Sequence, residues 1–546
     1  MRRTILAALA ALGLASAADA APAPPAGPPK LLVVIAVDQF SANLFEEWRP
    51  RFTDGLRRLS GGVAYPSGYQ SHAATETCPG HSTILTGLHP TRTGIVGNTV
   101  RDPQTGKSVY CLYDPGVKLA HDAAASPVGP GPLLGTTLGD WLKAVSPQSK
   151  VVAVSGKDRG AINLAGHNPD GVFWIADGFG FTTYVRPGED PAQRLAPVAA
   201  LNAKLSPRWT KAEWTYSHPD CRAAERTYDF NGKPYTAKLP PERWTPTADP
   251  AEIRRRLNAS PAYDDMTLEA AREFLRSYRL GKGPATDVLA VSFSATDYVG
   301  HTYGARGPEM CEQMHNLDRL IGVLLKDLDA LRVPYVVALT ADHGGSDLAE
   351  RLHEQGYPAA RINGAAVLER VNQALTAALS LSAPPLAGSL QEPELAASVP
   401  AERRETVTEA AVHMLRAQPE VADAYSLTEL LKTSVPKDKP ADELTLKERF
   451  AESVYPGRSP DILVALQPYT VTYPARPGGT LAGHGTVWNY DRRVPILFWW
   501  PGAPSETRFL PIETVDIGPT LAGAIGLKTP EDLDGRCLPL PPRTAC

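Results

Sequence analysis

Asp38, Asp297 and Asp342, together with His301, His343 and His484, each stand just past an apolar run or beside glycine. Three carboxylates and three imidazoles form a ligand set for two metal ions. Zinc takes oxygen and nitrogen donors in four-coordinate sites, and six such ligands plus a shared substrate or nucleophile oxygen fill two of them. A metal pair lowers the pKa of a hydroxyl or water, neutralises phosphate oxygens and stabilises a leaving oxygen, so the chemistry these residues suit is phosphoryl transfer. A single histidine supports no such reading, because most are structural. Repeated placement at strand ends does.

The hydroxyl such ions would activate is Thr77, in Thr75-Glu-Thr-Cys-Pro-Gly-His81-Ser-Thr-Ile-Leu-Thr86-Gly. This stretch reads as a loop running into a short helix. The first turn of a helix carries unpartnered N–H groups and the positive end of the dipole, which makes it a natural anion site. Thr77 is expected there as both cap and nucleophile, with Pro79 in the opening turn and Gly80 letting backbone approach a ligand. An aliphatic hydroxyl needs coordination to a dication before it attacks at neutral pH. A plain N-cap accounts for Thr77 taken alone. Cys78 is a rival nucleophile whose ordinary role, in an oxidising compartment, is to be buried or paired.

The elements that would position these groups are legible as buried strands. Leu31–Val37, Lys150–Ser155, Asp287–Phe293 and Tyr335–Thr340 are near-continuous apolar runs, as central strands of an α/β sheet are, and such sheets bind ligands at strand carboxyl ends. Val172–Ala176, Asp461–Leu466 and Val494–Trp500 read as further core strands, and helices are expected over 52–59, 265–280, 317–331 and 515–525. Asp297 and His301, four apart, suit one metal if the chain turns at Gly300. Lys157 and Arg159 place two cations at another strand end, where a solvated surface is the usual outcome. Asn98, in Gly94–Asn98, has the ordinary reading of a turn residue. Residues of about 190–260 are rich in Pro, Trp and charge and read as an irregular insertion. A second insertion, about 364–460, carries a helix over 401–417 and a strand over 421–425.

With 546 residues the chain can bury a large core, and a net charge of −4 argues against a nucleic-acid partner. Met1–Thr4 followed by the apolar Ile5–Leu14 and Ala18-Asp-Ala20 reads as an export signal over 1–20, with 21–30 as a disordered lead-in and 31–546 as the catalytic domain. No later stretch reaches membrane-spanning length, so a periplasmic or secreted product without a membrane anchor is expected. Six cysteines allow fifteen full pairings, among which Cys537 with Cys546 closes a short loop.

Read in order, Val37-Asp38-Gln-Phe, Ser71-His-Ala-Ala-Thr-Glu-Thr77-Cys-Pro-Gly-His81, Gly156-Lys157-Asp-Arg159, Ala295-Thr-Asp297-Tyr-Val-Gly-His301, Ala341-Asp342-His343-Gly-Gly345 and Asp491-Arg-Arg-Val-Pro-Ile resemble the alkaline phosphatase superfamily. The likeness is to its threonine-nucleophile bacterial alkaline phosphatases, of PafA and PhoK type. The resemblance implies an α/β sandwich with a central, mostly parallel sheet flanked by helices, plus inserted cap or subdomain elements. It implies two Zn²⁺, one held by Asp297, His301 and His484 and the other by Asp38, Asp342, His343 and Thr77. Thr77 would carry the phosphoryl group, while Asn98, Lys157 and Arg159 would bind the other phosphate oxygens of a small-molecule phosphate monoester. Calcium content and oligomeric state are left open. A sulfatase relative is disfavoured, since Cys78-Pro79-Gly80-His81 does not match that branch's nucleophile motif. The phosphodiesterase branch is the alternative, and a non-catalytic periplasmic phosphate- or zinc-binding protein is a third reading.

Overall fold

The computed structural model describes residues 27–546 apart from 103, 177–179, 210–213, 231, 242–243, 245–248 and 545. The expected signal peptide and most of the lead-in lie outside the described residues. At the centre is a ten-stranded mixed sheet. Its middle is parallel, in the order Tyr335–Thr340, Leu31–Val37, Asp287–Phe293, Val151–Ser155, Gly171–Ala176. Arg493–Trp499 then joins antiparallel to Tyr335–Thr340, and Val63–Tyr69 antiparallel to that.

The apolar strands are continuous because both faces of the sheet are covered. Leu31, Val33, Ile35 and Val37 face one core, shared with the helices Ala262–Ser277 and Pro308–Ala330. Leu32, Val34 and Ala36 face the other, shared with Thr77–Thr86, Asp158–Ala165 and Ile517–Ala524. Alternation of side chains along a strand delivers these two sets, and no polar position can intervene until the strand ends. Register then aligns the ends. Ala36 pairs with both Ser292 and Thr340, so Asp38, the turn after Phe293 and Asp342 emerge at one edge.

Several expectations are corrected. The helix placed over 52–59 is the shorter Gly55–Ser60, and a further helix, Ala42–Trp48, precedes it. The first insertion is not irregular: it holds the helix Pro191–Trp209, a hairpin of Arg226–Asp229 with Pro234–Ala237, and the helix Pro250–Asn258. Prolines at 191, 197 and 207 hide the long helix, since Pro normally argues against helix interior. Ile462–Leu466 is outside the central sheet and pairs antiparallel with Val421–Ser426 over a separate core. A five-residue apolar run reads the same in either place. Disulfides join Cys78 to Cys111, Cys221 to Cys311, and Cys537 to Cys546 as expected. Cys78 is therefore no rival thiol.

Candidate active site

The Thr77–Thr86 helix is buried along its whole length. Its N-cap is Glu76, not Thr77, which is the first helical residue; the Glu76 carboxylate accepts from Asn98 N at 2.5 Å instead of capping. Asn98 does the capping, its Oδ1 accepting from Cys78 N at 2.9 Å, while among the described residues its amide nitrogen has no partner. Gly80 permits a close approach as expected, but to protein: a Cβ there would lie 1.9 Å from the Asp342 carbonyl oxygen. The helix is thus pressed against the strand end that carries Asp342.

His81 makes that junction chemical. One turn after Thr77, its Nδ1 lies 2.9 Å from the Thr77 carbonyl oxygen and 3.0 Å from Asp342 Oδ2, and its Nε2 lies 2.9 Å from Ser292 Oγ. Sequence reasoning assigned His81 no role. The signal was present, because residues four apart on a helix overlie one another. Asp297 and His301 show the same spacing on the helix Ala295–Tyr303, with no turn at Gly300. Gly300 is small for another reason, since a Cβ would lie 2.6 Å from Gln39 Oε1. Gln39, in the left-handed region at φ 61°, places its backbone N–H 3.1 Å from Asp342 Oδ1. With its amide oriented to satisfy both polar atoms, it also donates to Asp297 Oδ1 at 3.2 Å. It too was missed, since its role depends on a contact across the sheet.

All six expected ligand residues converge. His301 Nε2 and His484 Nε2 lie 3.3 and 3.4 Å from Asp297 Oδ1, and His343 Nε2 lies 3.4 Å from both Asp38 Oδ1 and Asp342 Oδ2. Two groups could each hold a cation: Asp297, His301 and His484, and Asp38, Asp297 and His343. Asp297 lies within reach of both groups, and Asp342 Oδ2 adjoins the second, 3.4 Å from His343 Nε2. Each imidazole has its Nδ1 on a backbone carbonyl, at Ala482, Thr75 and Gly344 for His301, His484 and His343, at 2.9, 2.7 and 2.8 Å. A ring that donates through Nδ1 presents a lone pair at Nε2, the arrangement of a metal-ligating histidine. Those lone pairs face carboxylates. Among the described residues Asp38 Oδ1 and His343 Nε2 have no hydrogen-bond partner, while Asp342 Oδ2 and Asp38 Oδ2 lie 3.0 Å from His81 Nδ1 and 2.7 Å from the Lys157 ammonium; buried carboxylates this crowded are costly unless a cation sits among them.

Charge confirms the crowding. Burial, then Asp297 and Asp342, push the Asp38 carboxyl well above its usual range, with Lys157 opposing. Burial would also raise Asp342, but His343 and His81 hold it below the usual carboxylate range. Burial pushes His343 down to about 3, against the pull of Asp342, so its ring is neutral. Burial would lower His484, but its hydrogen bond to Asp297 and the charges of Asp297 and Asp491 together raise it. A cation beside Asp297 would displace that proton, as metal binding to imidazole does.

Lys157 is not at a solvated surface. Its ammonium is buried 2.7 Å from Asp38 Oδ2 and 2.5 Å from Asp297 Oδ2, with the Tyr298 ring centroid at 4.8 Å. Burial opposes its charge, and the two carboxylates overcome that and raise its pKa. Arg159, in the first turn of the helix Asp158–Ala165, reaches Tyr110 OH at 3.3 Å and, among the described residues, leaves Nε without a hydrogen-bond partner.

An α/β sandwich that gathers anionic and imidazole donors at the carboxyl ends of its central strands, with a threonine at a buried helix mouth beside them, is the architecture of a hydrolase that works on anionic esters. The comparisons agree. The model of the family described as type I phosphodiesterase / nucleotide pyrophosphatase matches residues 32–486. Alkaline phosphatase PhoK of Sphingomonas sp is 39% identical over 94% of this chain and 91% of its own length, and alkaline phosphatase PhoD of Zymomonas mobilis 38% over 94% and 89%. The crystal structure of wild-type alkaline phosphatase PafA superposes with a TM-score of 0.81 at 25% identity, covering 94% of this chain and 99% of that one. The chain belongs to the alkaline phosphatase superfamily, and within it to the threonine-nucleophile phosphatases of PafA and PhoK type. It is an enzyme, a phosphoric monoester hydrolase.

Proposed function

We propose that this chain is an exported, zinc-dependent alkaline phosphatase that hydrolyses small phosphate monoesters through a phosphothreonine at Thr77. The observation that carries the reading is the set of three imidazoles, each with Nδ1 on a backbone carbonyl and Nε2 turned to buried carboxylates, with Asp38 Oδ1 and His343 Nε2 left without hydrogen-bond partners among the described residues. Asp297, His301 and His484 would hold one Zn²⁺, and Asp38, Asp342, His343 and Thr77 the other. When bound, the ions supply positive charge that makes the Thr77 alkoxide accessible and offsets charge on the leaving oxygen. The Thr77 oxygen then bonds to phosphorus as the ester oxygen leaves. In a second displacement, water bonds to phosphorus and the Thr77 oxygen leaves with a proton. His81 holds the helix that carries Thr77 against Asp342. The Asn98 amide nitrogen, Lys157 and Arg159 would meet the remaining phosphoryl oxygens, Arg159 through its two-pronged guanidinium.

We read 31–546 as one catalytic unit carrying the two insertions. Export is supported by three disulfides, and among the described residues no helix is long and apolar enough to cross a membrane. The test of export is a mature N-terminus near Ala21 in the periplasmic or secreted fraction; a cytoplasmic product retaining 1–20 would refute it.

The second reading, a phosphodiesterase, is favoured by the description of the matching family. Rates on p-nitrophenyl phosphate and bis-p-nitrophenyl phosphate decide between them. A higher kcat/KM for the monoester, lost on chelation and restored by zinc, is the expected result. A preference for the diester would favour the alternative.

A further inference from the structure

Beside His301 opens a cleft of about 300 Å³ whose wall is made of rings: Trp244, Tyr298 and Tyr303. That volume falls in the range of small-molecule pockets. Trp214 braces the wall from behind, its ring edge-on to Trp244 at 5.8 Å and to Tyr303 at 5.7 Å. The Arg256 guanidinium lies 5.9 Å from the Trp244 ring centroid and pairs with Glu252 at 3.1 Å. The first insertion, to which sequence reasoning assigned no chemistry, therefore supplies one side of a pocket whose floor is a candidate metal ligand.

We infer that this cleft receives the alcohol half of the ester and favours phosphate monoesters whose leaving group carries a flat ring, an inference that rests on the monoesterase reading above. Position is the first argument. The nucleophile helix is tied by His81 to Asp342, whose neighbours are His343 and Asp38, whereas His301 lies on the other side of the shared Asp297. Displacement at phosphorus puts attacking and leaving oxygens in line, so a leaving group opposite Thr77 departs past His301 into this cleft.

Chemistry is the second. Faces and edges of aromatic side chains attract other rings, and here three of them line one opening. Glu252 pairs with both Arg256 and Arg255, which also lines the cleft, so a single carboxylate is shared by two guanidinium groups beside the rings. The competing cavity, beside His484, also holds rings, at Phe450, Tyr473 and Tyr490, but it measures only about 80 Å³ and is lined by Glu76 and Glu392 as well. Two carboxylates there are unsuited to a dianionic ester approaching from that side.

Benzyl phosphate and ethyl phosphate test this, because both leave as primary alcohols and differ in the ring. Zinc-loaded wild-type enzyme is expected to show about tenfold higher kcat/KM for the benzyl ester. Trp244→Ala should bring the benzyl-to-ethyl ratio close to one, and Trp244→Phe should keep most of it. Should Trp244→Ala fail to fold, as judged by circular dichroism, Trp244→Leu makes the same measurement. A wild-type ratio near one, or a ratio that Trp244→Ala leaves unchanged, would overturn the inference while leaving the monoesterase reading intact. Hydrolysis of neither ester by zinc-loaded enzyme would overturn that reading and the inference with it.

Discussion

Two regions of this molecule gather the same residue types and use them in opposite ways. At the strand ends, Asp38, Asp297, Asp342, His301, His343 and His484 crowd together with imidazole Nε2 atoms 3.3–3.4 Å from carboxylates and, among the described residues, with Asp38 Oδ1 and His343 Nε2 lacking hydrogen-bond partners. On the helix Pro308–Ala330 and the adjacent insertion, His218 Nδ1 lies 2.8 Å from Glu312 Oε2 and His315 Nε2 lies 3.0 Å from Asp220 Oδ2, with the two rings stacked at 3.9 Å. The nearby cysteines, Cys221 and Cys311, are joined to each other. In that second cluster each imidazole has its own carboxylate at hydrogen-bond distance, so the pairs are complete. In the first, the Nδ1 protons point to backbone and the remaining atoms are short of positive charge. The inventory of donors is similar, and the difference in how they are satisfied separates a centre built for cations from one that pins an insertion to a helix.

The largest expected effect breaks the first cluster and spares the second. With zinc present, Asp342→Asn or His343→Ala should lower kcat/KM for p-nitrophenyl phosphate by at least ~10²–10⁴-fold, the range of losing major catalytic assistance. His315→Gln should change it by no more than about twofold. Equal losses at the two clusters would erase the distinction.

Thr77→Ala should be nearly as damaging, while Thr77→Ser keeps a measurable rate, and both should still bind zinc. Acid-quenched enzyme should carry the phosphoryl label on Thr77; label on Ser82 would move the nucleophile. A smaller effect separates Lys157 and Arg159 from the imidazoles. Alanine at both should reduce kcat/KM for the monoester more than for bis-p-nitrophenyl phosphate, each charge-assisted contact being worth about 1.5–3 kcal/mol. Lys157 touches Asp38 and Asp297 directly, so equal losses on the two esters would make it a support for the carboxylates only.

The smallest effect concerns a carboxylate with neither kind of partner. Glu309 is 1% exposed, among the described residues its oxygens have no side-chain hydrogen-bond partner, and burial, opposed by nearby backbone N–H groups and by Arg351, pushes its pKa up to about 8. A folded-state value above the unfolded one contributes stability at low pH that is lost as pH rises from about 4.5 to about 8. Glu309→Gln lacks that loss. Relative to wild type, its melting temperature should therefore rise by about 2 °C between pH 6 and pH 9; an unchanged difference would place Glu309 in a better-solvated state.

What was legible in the sequence follows from the same physics. Asp38, Asp297 and Asp342 could be found because parallel central strands are apolar until they end, which makes the first charged residue conspicuous. His301 and His343 follow from their spacing to those residues. The reach of Asp297 into the second group as well was not legible, because which carboxylates face one another depends on register between Leu31–Val37, Asp287–Phe293 and Tyr335–Thr340. Lys157 looked like surface since nothing local shows that two carboxylates from other strands enclose it. Ile462–Leu466 was misplaced for a related reason: apolarity reports burial and not the sheet in which a strand is buried.

The central claim is that the strand-end cluster, and not the His218/His315 cluster, holds the ions. Zinc stoichiometry measured on chelated and then reconstituted protein addresses it directly. We expect two Zn²⁺ per wild-type chain, a loss in Asp297→Asn and in His343→Ala, and no change in the double variant of His218→Gln with His315→Gln. Wild-type protein that takes up no zinc, or zinc lost from the double variant and retained by the strand-end variants, would contradict the account.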